Sequence, residues 1–198
     1  MTIVINGSGT VTGISVGGLP DGIVDTDMLA NSAVTAAKAA GRAVTHAAQF
    51  RVTSTFTGDV APISSNWEQV DSTGQGILGT WSDPSSGVFT FPATGFYLVS
   101  FGIIMATSGV CGFLENKIQL TTNNGTGWSY IATGNCNISD ATGNTYEAQG
   151  FCQTLVDVTD TAQVKVRFDT NISNDSASII GNSTRNQTYV TFVRLGDT

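Results

Sequence analysis

Residues able to do chemistry are few and scattered in this 198-residue sequence. It has one histidine, His46, so any nucleophile–histidine–acid relay would have to use it. His46 follows an Ala-rich stretch, where a histidine is more often solvated or packed at a subunit contact than catalytic. The sequence contains no H-E-x-x-H pair, no Cys/His set at metal-ligand spacing and no G-x-x-x-x-G-K-[ST] phosphate loop. Asp140, Glu147, Asp169 and Asp175 stand among polar residues. Their spacing does not favour a paired-carboxylate glycosidase over ordinary turn formation. The expectation is a protein that is not an enzyme and carries no cofactor. One metal candidate stands out, because Asp169, Asn171 and Asp175 offer closely spaced hard oxygens of the kind calcium takes. Trp128 follows the turn sequence Asn123-Asn-Gly-Thr-Gly127 and is the candidate contact for a receptor surface, a carbohydrate included. Trp67 and Trp81 fit a core or interface role better.

Cys111, Cys136 and Cys152 make an odd set without C-x-x-C spacing. They read as buried or half-buried free thiols of a chain made in a reducing cytoplasm, with one disulfide plus a spare thiol as the alternative. Charged residues make up only 12% of the chain and the net charge is −7. Phosphate backbones and anionic membrane surfaces need clustered Lys and Arg, so neither nucleic acid nor such a membrane is an expected partner. No apolar run approaches the ~20 residues that span a bilayer. The first residues lack a basic region followed by an apolar one, so no secretory signal is expected.

The length fits one domain with an appendage, and a domain of ~150 residues buries roughly 68–70% of its unfolded surface. The stretch from Ser86 to Phe101 organises the rest. Phe89 and Phe91 alternate with Val88 and Thr90, a strand period. Pro92 closes that strand and Gly95 permits a turn. In the next strand Tyr97, Val99, Phe101, Ile103 and Met105 share one face, while Phe96, Leu98 and Ile104 share the other. A sheet with one wet face alternates apolar with polar, so a strand apolar on both faces predicts burial on both. One face fills the core and the other meets a second subunit. The final strand, Tyr189 to Leu195, has the same double character. Further strands are expected at Phe50–Phe56, Trp67–Val70, Ile77–Trp81, Val110–Leu120, Trp128–Ala132 and Tyr146–Val158. Another is expected at Val164–Asp169, with Lys165 and Arg167 in water, and polar loops at Gly134–Asn144 and Thr170–Ile180.

The residues Gly87-x-Phe89-x-x-Pro92-x-x-Gly95-x-Tyr97-x-x-x-Phe101 resemble the signature of the globular heads in the tumour necrosis factor and complement-head superfamily. Asp160-Thr-Ala-Gln-Val164 resembles the entry to that family's penultimate strand, and Thr188–Leu195 its last strand. The resemblance covers about Ala47 to Leu195. It implies an all-β, antiparallel jelly-roll sandwich that associates as a homotrimer. In that family the aromatic of the Gly-x-Tyr position faces the partner chains. The resemblance therefore puts Tyr97, Val99, Phe101 and Ile103 at the trimer interface, with Tyr189, Val190 and Phe192 from the last strand, and puts the Phe96 face in the core.

Ahead of the head, residues 1–20 are neutral and rich in Val, Ile, Thr and Gly. They read as an extended attachment arm ordered by pairing with another chain. Residues 21–46 hold a short repeat aligning Val24 with Val34 and Ala30 with Ala40. Its units read as single helical turns, too short to stand alone, which would pack Val24, Met28, Leu29 and Val34 about a trimer axis. The pattern resembles the linker of bacteriophage tail fibres and related virion proteins. Residues 47–198 form the head. Together these imply a virion structural protein, made in the host cytoplasm and held to other virion proteins by its arm. The leading expectation is a short tail fibre or spike for host attachment through a surface glycan or protein. A capsid decoration or cement protein is the alternative, and a secreted cytokine- or complement-like head a further one.

Overall fold

The computed structural model describes residues 44–72, 74–139 and 143–198, together with the two-residue strands β1 (Val4–Ile5) and β2 (Val11–Thr12). The chain divides into two compact units, Met1–Ala40 and Gly41–Thr198. In the first, β1 and β2 pair antiparallel with each other, Val4 opposite Thr12. The helical turns expected over residues 21–40, and with them Val24, Met28, Leu29 and Val34, lie outside the described residues.

The second unit is all-β, with no helix among the described residues. Its strands are β3 (Ala47–Val52), β4 (Phe56–Thr57), β5 (Trp67–Gln69), β6 (Phe89–Thr90), β7 (Gly95–Thr107), β8 (Cys111–Thr121), β9 (Ser129–Ile138), β10 (Tyr146–Val158), β11 (Lys165–Ile172), β12 (Ser178–Ile179) and β13 (Tyr189–Gly196). Two antiparallel sheets result. The larger is built on β7. One edge of β7 pairs with β10 along its whole length. The other edge is shared, with β13 over its first half and β12 near its end. From there β13 leads to β3 and β5, and β12 to β4. The smaller sheet runs β6–β11–β8–β9.

The sheets close on an aromatic core. Phe50 of the first meets Phe89 of the second with ring centroids 5.3 Å apart, edge to face. Phe101 meets Phe168 at 5.1 Å, and Phe89 meets Phe168 at 5.2 Å. Such geometries add attraction beyond the area buried. At one margin of the sandwich β9 and β10 approach closely at Gly134 and Gly150, beside the Asn116 side chain. A Cβ on Gly134 would stand 2.3 Å from the carbonyl oxygen of Phe151.

Two glycines of the signature stretch have a physical reason. Gly87 has φ 76° and a Cβ there would lie 2.2 Å from the Ile63 carbonyl oxygen. Gly95 has φ 137° and its Cβ would lie 2.3 Å from the carbonyl oxygen of Gly196. Between them the chain turns from the second sheet into the first, and Tyr97 ties the turn down by donating to Ala93 O at 2.9 Å.

The stretch Thr170–Ile180, expected as a polar loop, holds the end of β11 and the strand β12. Three further expectations change. The stretch Ile77–Trp81 makes only an isolated bridge, Ala47 with Leu78: Gly79, at φ 76°, breaks it from within, and Ile77 and Leu78 are exposed. The strand begun near Trp128 does not stop at Ala132. β9 runs to Ile138, where a polar loop was expected, since Thr and Asn serve well on the outer face of an edge strand. The third change is the largest. Tyr97, Val99, Phe101 and Ile103 are each 0% exposed within the single chain, as are Val190 and Phe192. They are the core, not a surface for partner chains. The Phe96 face, expected inside, is outside: Phe96 is 41% exposed, and Leu98 and Ile104 are half-buried. Of the residues assigned to the axis, Tyr189 alone lies on the outward face. The pleat parity was right and the choice of face was reversed, because Trp81, Phe91 and Phe168 all stack on the Tyr97 side.

Candidate functional site

Two features of the head lack an internal structural purpose. The first is the outward face of the large sheet. Residues directly opposite in an antiparallel ladder share a face, so the register defines three rows across β3, β13, β7 and β10. One row is Arg51, Tyr189, Gly102 and Phe151. The next is Gln49, Thr191, Ser100 and Gln153, and the third Ala47, Val193, Leu98 and Leu155. The third row is apolar throughout, the first carries the aromatic side chains of Tyr189 and Phe151, and the polar row runs between them. Phe151 is 49% exposed and Leu155 61%, both on a regular strand rather than a loop. Toward β3 the face turns polar. Arg51 is buried there, bonded to Glu68 at 2.7 Å and to Ser72 at 3.0 Å, while Gln49 bridges Thr191 and Asn186 at 2.9 Å each. An apolar centre with a polar margin is the anatomy of a protein interface, and here the margin still holds buried polar atoms without a partner among the described residues, Arg51 Nε and Asn186 Oδ1.

The second feature is a cleft of about 340 Å³ on the outward face of the small sheet. Its floor is Thr90 of β6 beside Lys165 and Arg167 of β11, with Lys165 directly opposite Thr90. These point away from the core because their neighbours Phe89, Val166 and Phe168 point into it. One wall is the β8–β9 turn, where Asn124 and Gly125 both take positive φ and bring Trp128 alongside. Ser85 and Val88 form the other. The Arg167 guanidinium lies 4.4 Å from the Trp128 ring centroid, a cation–π contact, and donates twice to Gln119 Oε1, at 2.9 and 3.2 Å. The Gln119 amide in turn donates to Asp169 Oδ2, and Lys165 donates to Asn124 Oδ1. Trp128 was legible as a contact candidate from its place after the turn. Lys165 and Arg167 were legible as water-facing, but their convergence on Trp128 depends on the pairing of β11 with β6 and β8.

The remaining candidates do not assemble. His46 is half-buried, with its Nδ1 3.0 Å from the Thr45 hydroxyl, and burial together with the neighbouring Arg194 cation pushes its pKa down. Glu147 is exposed on β10, Asp175 is exposed in a loop, and Asp140 lies outside the described residues. Asp169 and Asn171 share a face of β11, each turned to a protein partner: Asp169 to Gln119, and the Asn171 amide to Glu115 Oε2 at 2.8 Å. Burial pushes the Asp169 carboxyl above its ordinary range against the hydrogen bond from Gln119, and its Oδ1 is buried without a partner. Among the described residues no three His, Cys, Asp or Glu side chains cluster as a metal site. All three cysteines are free thiols. Burial raises Cys152 to about 12 and Cys136 to about 11. Trp81 is core and Trp67 half-buried against it.

No protein-family model and no curated protein sequence matches the chain. Solved structures do. The chain is similar to Eiger TNF from S. frugiperda with a TM-score of 0.59 and 14% identity, over 79% of this chain and 96% of that one. Against murine APRIL the TM-score is 0.54 with 10% identity, over 76% of this chain and 98% of that one. The topology, the core and these likenesses agree, and the second unit has the tumour-necrosis-factor-like jelly-roll fold.

Proposed function

We propose that this chain is a bacteriophage virion structural protein whose head works as a homotrimer and serves in a short tail fibre or spike for attachment to the host surface. The observation that carries the trimer is the outward face of the large sheet, where Phe96, Phe151 and Leu155 lie open on regular strands beside the half-buried Leu98. Each protomer covers such a face by meeting two others, and Phe151 and Leu155 gain little burial in one chain alone. The virion assignment draws on the resemblance of residues 22–38 to virion linkers ahead of a head domain. The reading is of a binding role, and no chemistry is assigned. Calcium has no part in this reading, in which one oxygen of Asp169 and the Asn171 amide are held by protein partners.

A second reading, a secreted head of the tumour necrosis factor kind, is favoured by the similarity to Eiger TNF. Gold-labelled antibody against the head, applied to intact particles from the producing culture, separates these readings. Label at the tail tip supports the fibre or spike. Label over the capsid shell replaces it with a decoration protein, and antigen only in particle-free medium replaces it with the secreted head.

A further inference from the structure

The cleft at Trp128 gathers positive charge in a chain of net charge −7. Among the described residues Arg51, Lys117 and Arg194 each have a carboxylate partner. Lys165 and Arg167 form no ion pair, Asp169 meets Arg167 only through Gln119, and no carboxylate lines the cleft they share. Their geometry is fixed without one. Gln119 and the Trp128 ring hold the Arg167 fork, leaving its Nη1 without a bond to any described residue. Lys165 uses one of its three donors on Asn124. Side chains held in place with donors to spare are preorganised for an anion, because little rotamer freedom is left to lose. Around them stand hydroxyls from Ser85 and Thr90 and, on the apolar side, Val88 and the Trp128 edge.

The geometry points to a site for an acidic sugar, a carboxylate-bearing unit of a surface polysaccharide, with its carboxylate on Lys165 and Arg167. The ring hydroxyls meet Ser85, Thr90 and the Asn124 amide, and the C–H face lies along Val88 and Trp128. A cleft of about 340 Å³ suits one or two sugar units, near the low end of small-ligand pockets. A polyphosphate chain would be repelled by the rest of an acidic head, whereas a single carboxylate needs only the local pair. The cleft is on the small sheet, away from the face assigned to assembly, so a trimer leaves three copies open. The inference deepens the attachment reading, although the binding step itself requires only the folded head.

The test is calorimetric titration of the full chain with a hexuronic acid trisaccharide, with its neutral hexose counterpart, and with sodium sulfate. The acidic sugar is expected to bind at least about tenfold more tightly than the neutral one, with sulfate failing to displace it at equal concentration. Thr90→Asp, at an exposed position on the floor, and Lys165→Gln are each expected to weaken it about tenfold or more while assembly state and unfolding midpoint stay unchanged. Equal binding of acidic and neutral sugars, displacement by sulfate, full binding by Thr90→Asp, or no binding at all overturns the assignment. If no sugar binds while antibody still marks the tail tip, the cleft assignment falls and the attachment reading stands. If the acidic sugar binds as described while antibody marks the capsid, the attachment reading falls and the cleft assignment stands.

Discussion

Leu155 stands directly opposite Leu98 across the β7–β10 ladder, on the face of the sheet turned away from the core. Their neighbours in sequence behave oppositely: Val99 and Val156 are almost fully buried inside the sandwich. The sheet therefore separates two apolar populations, one that folds the chain and one available to join chains. Leu155→Asp acts on the second alone. It is expected to leave the circular dichroism of the head intact and its stability as a monomer within about 0.5 kcal/mol, since an open surface position tolerates charge. Assembly should be lost, because a trimer would bury three unpaired carboxylates at a cost of several kcal/mol each. A Leu155→Asp chain that still sediments as the native assembly would contradict this assignment of the face.

Phe101→Asp acts on the first population. Phe101 is fully buried against Phe168, so a carboxylate there has no water and no partner, and the chain is expected not to fold. The milder Phe101→Ala should fold with a loss of about 3–5 kcal/mol in urea unfolding. A folded, monomeric Phe101→Asp would reverse the faces again.

The face itself shows where sequence reading stops. Period-two alternation made the grouping of Tyr97 with Val99, Phe101 and Ile103 legible, and it was correct. Which group turned inward was not legible, because a strand apolar on both sides carries no sign of what covers each. The answer came from distant residues: Phe168 reaches Phe101 from the other sheet, and Trp81 and Phe91 reach Tyr97 from the segments before β7. The same holds for the cleft. Trp128 was marked by its turn, but Lys165 meets Asn124 only through strand pairings that no local pattern encodes.

Asp169 gives a pH signature. Burial raises its folded pKa above the unfolded carboxylate value of about 4, so the folded state keeps its proton to higher pH than the unfolded chain does. Its contribution to stability is fully present below the unfolded value and is lost as pH rises through the folded one. Asp169→Asn removes that titration. The stability of the variant relative to the native protein, from urea unfolding at a series of pH values, is expected to rise with pH across that window. A difference that is flat, or that falls, would show the carboxylate to be unperturbed or held ionised.

The thiols offer a chemical check on the same packing. Cys152 and Cys136, raised to about 12 and 11, hold almost no thiolate at pH 8, and the thiolate is the reactive form. Iodoacetamide at pH 8 should leave both unmodified in the folded head and modify all three cysteines in urea, as read by intact mass. Rapid modification of Cys152 in the folded protein would mean that the β8–β10 packing around it is looser than its bonds to Asn116 imply.

The measurement that bears most directly on the account is the mass of the full chain in solution. Light scattering at micromolar concentration is expected to give about three times the 20.6 kDa of one chain, falling to one chain in Leu155→Asp. A stable, soluble 20.6 kDa monomer of the native protein under the same conditions would contradict it.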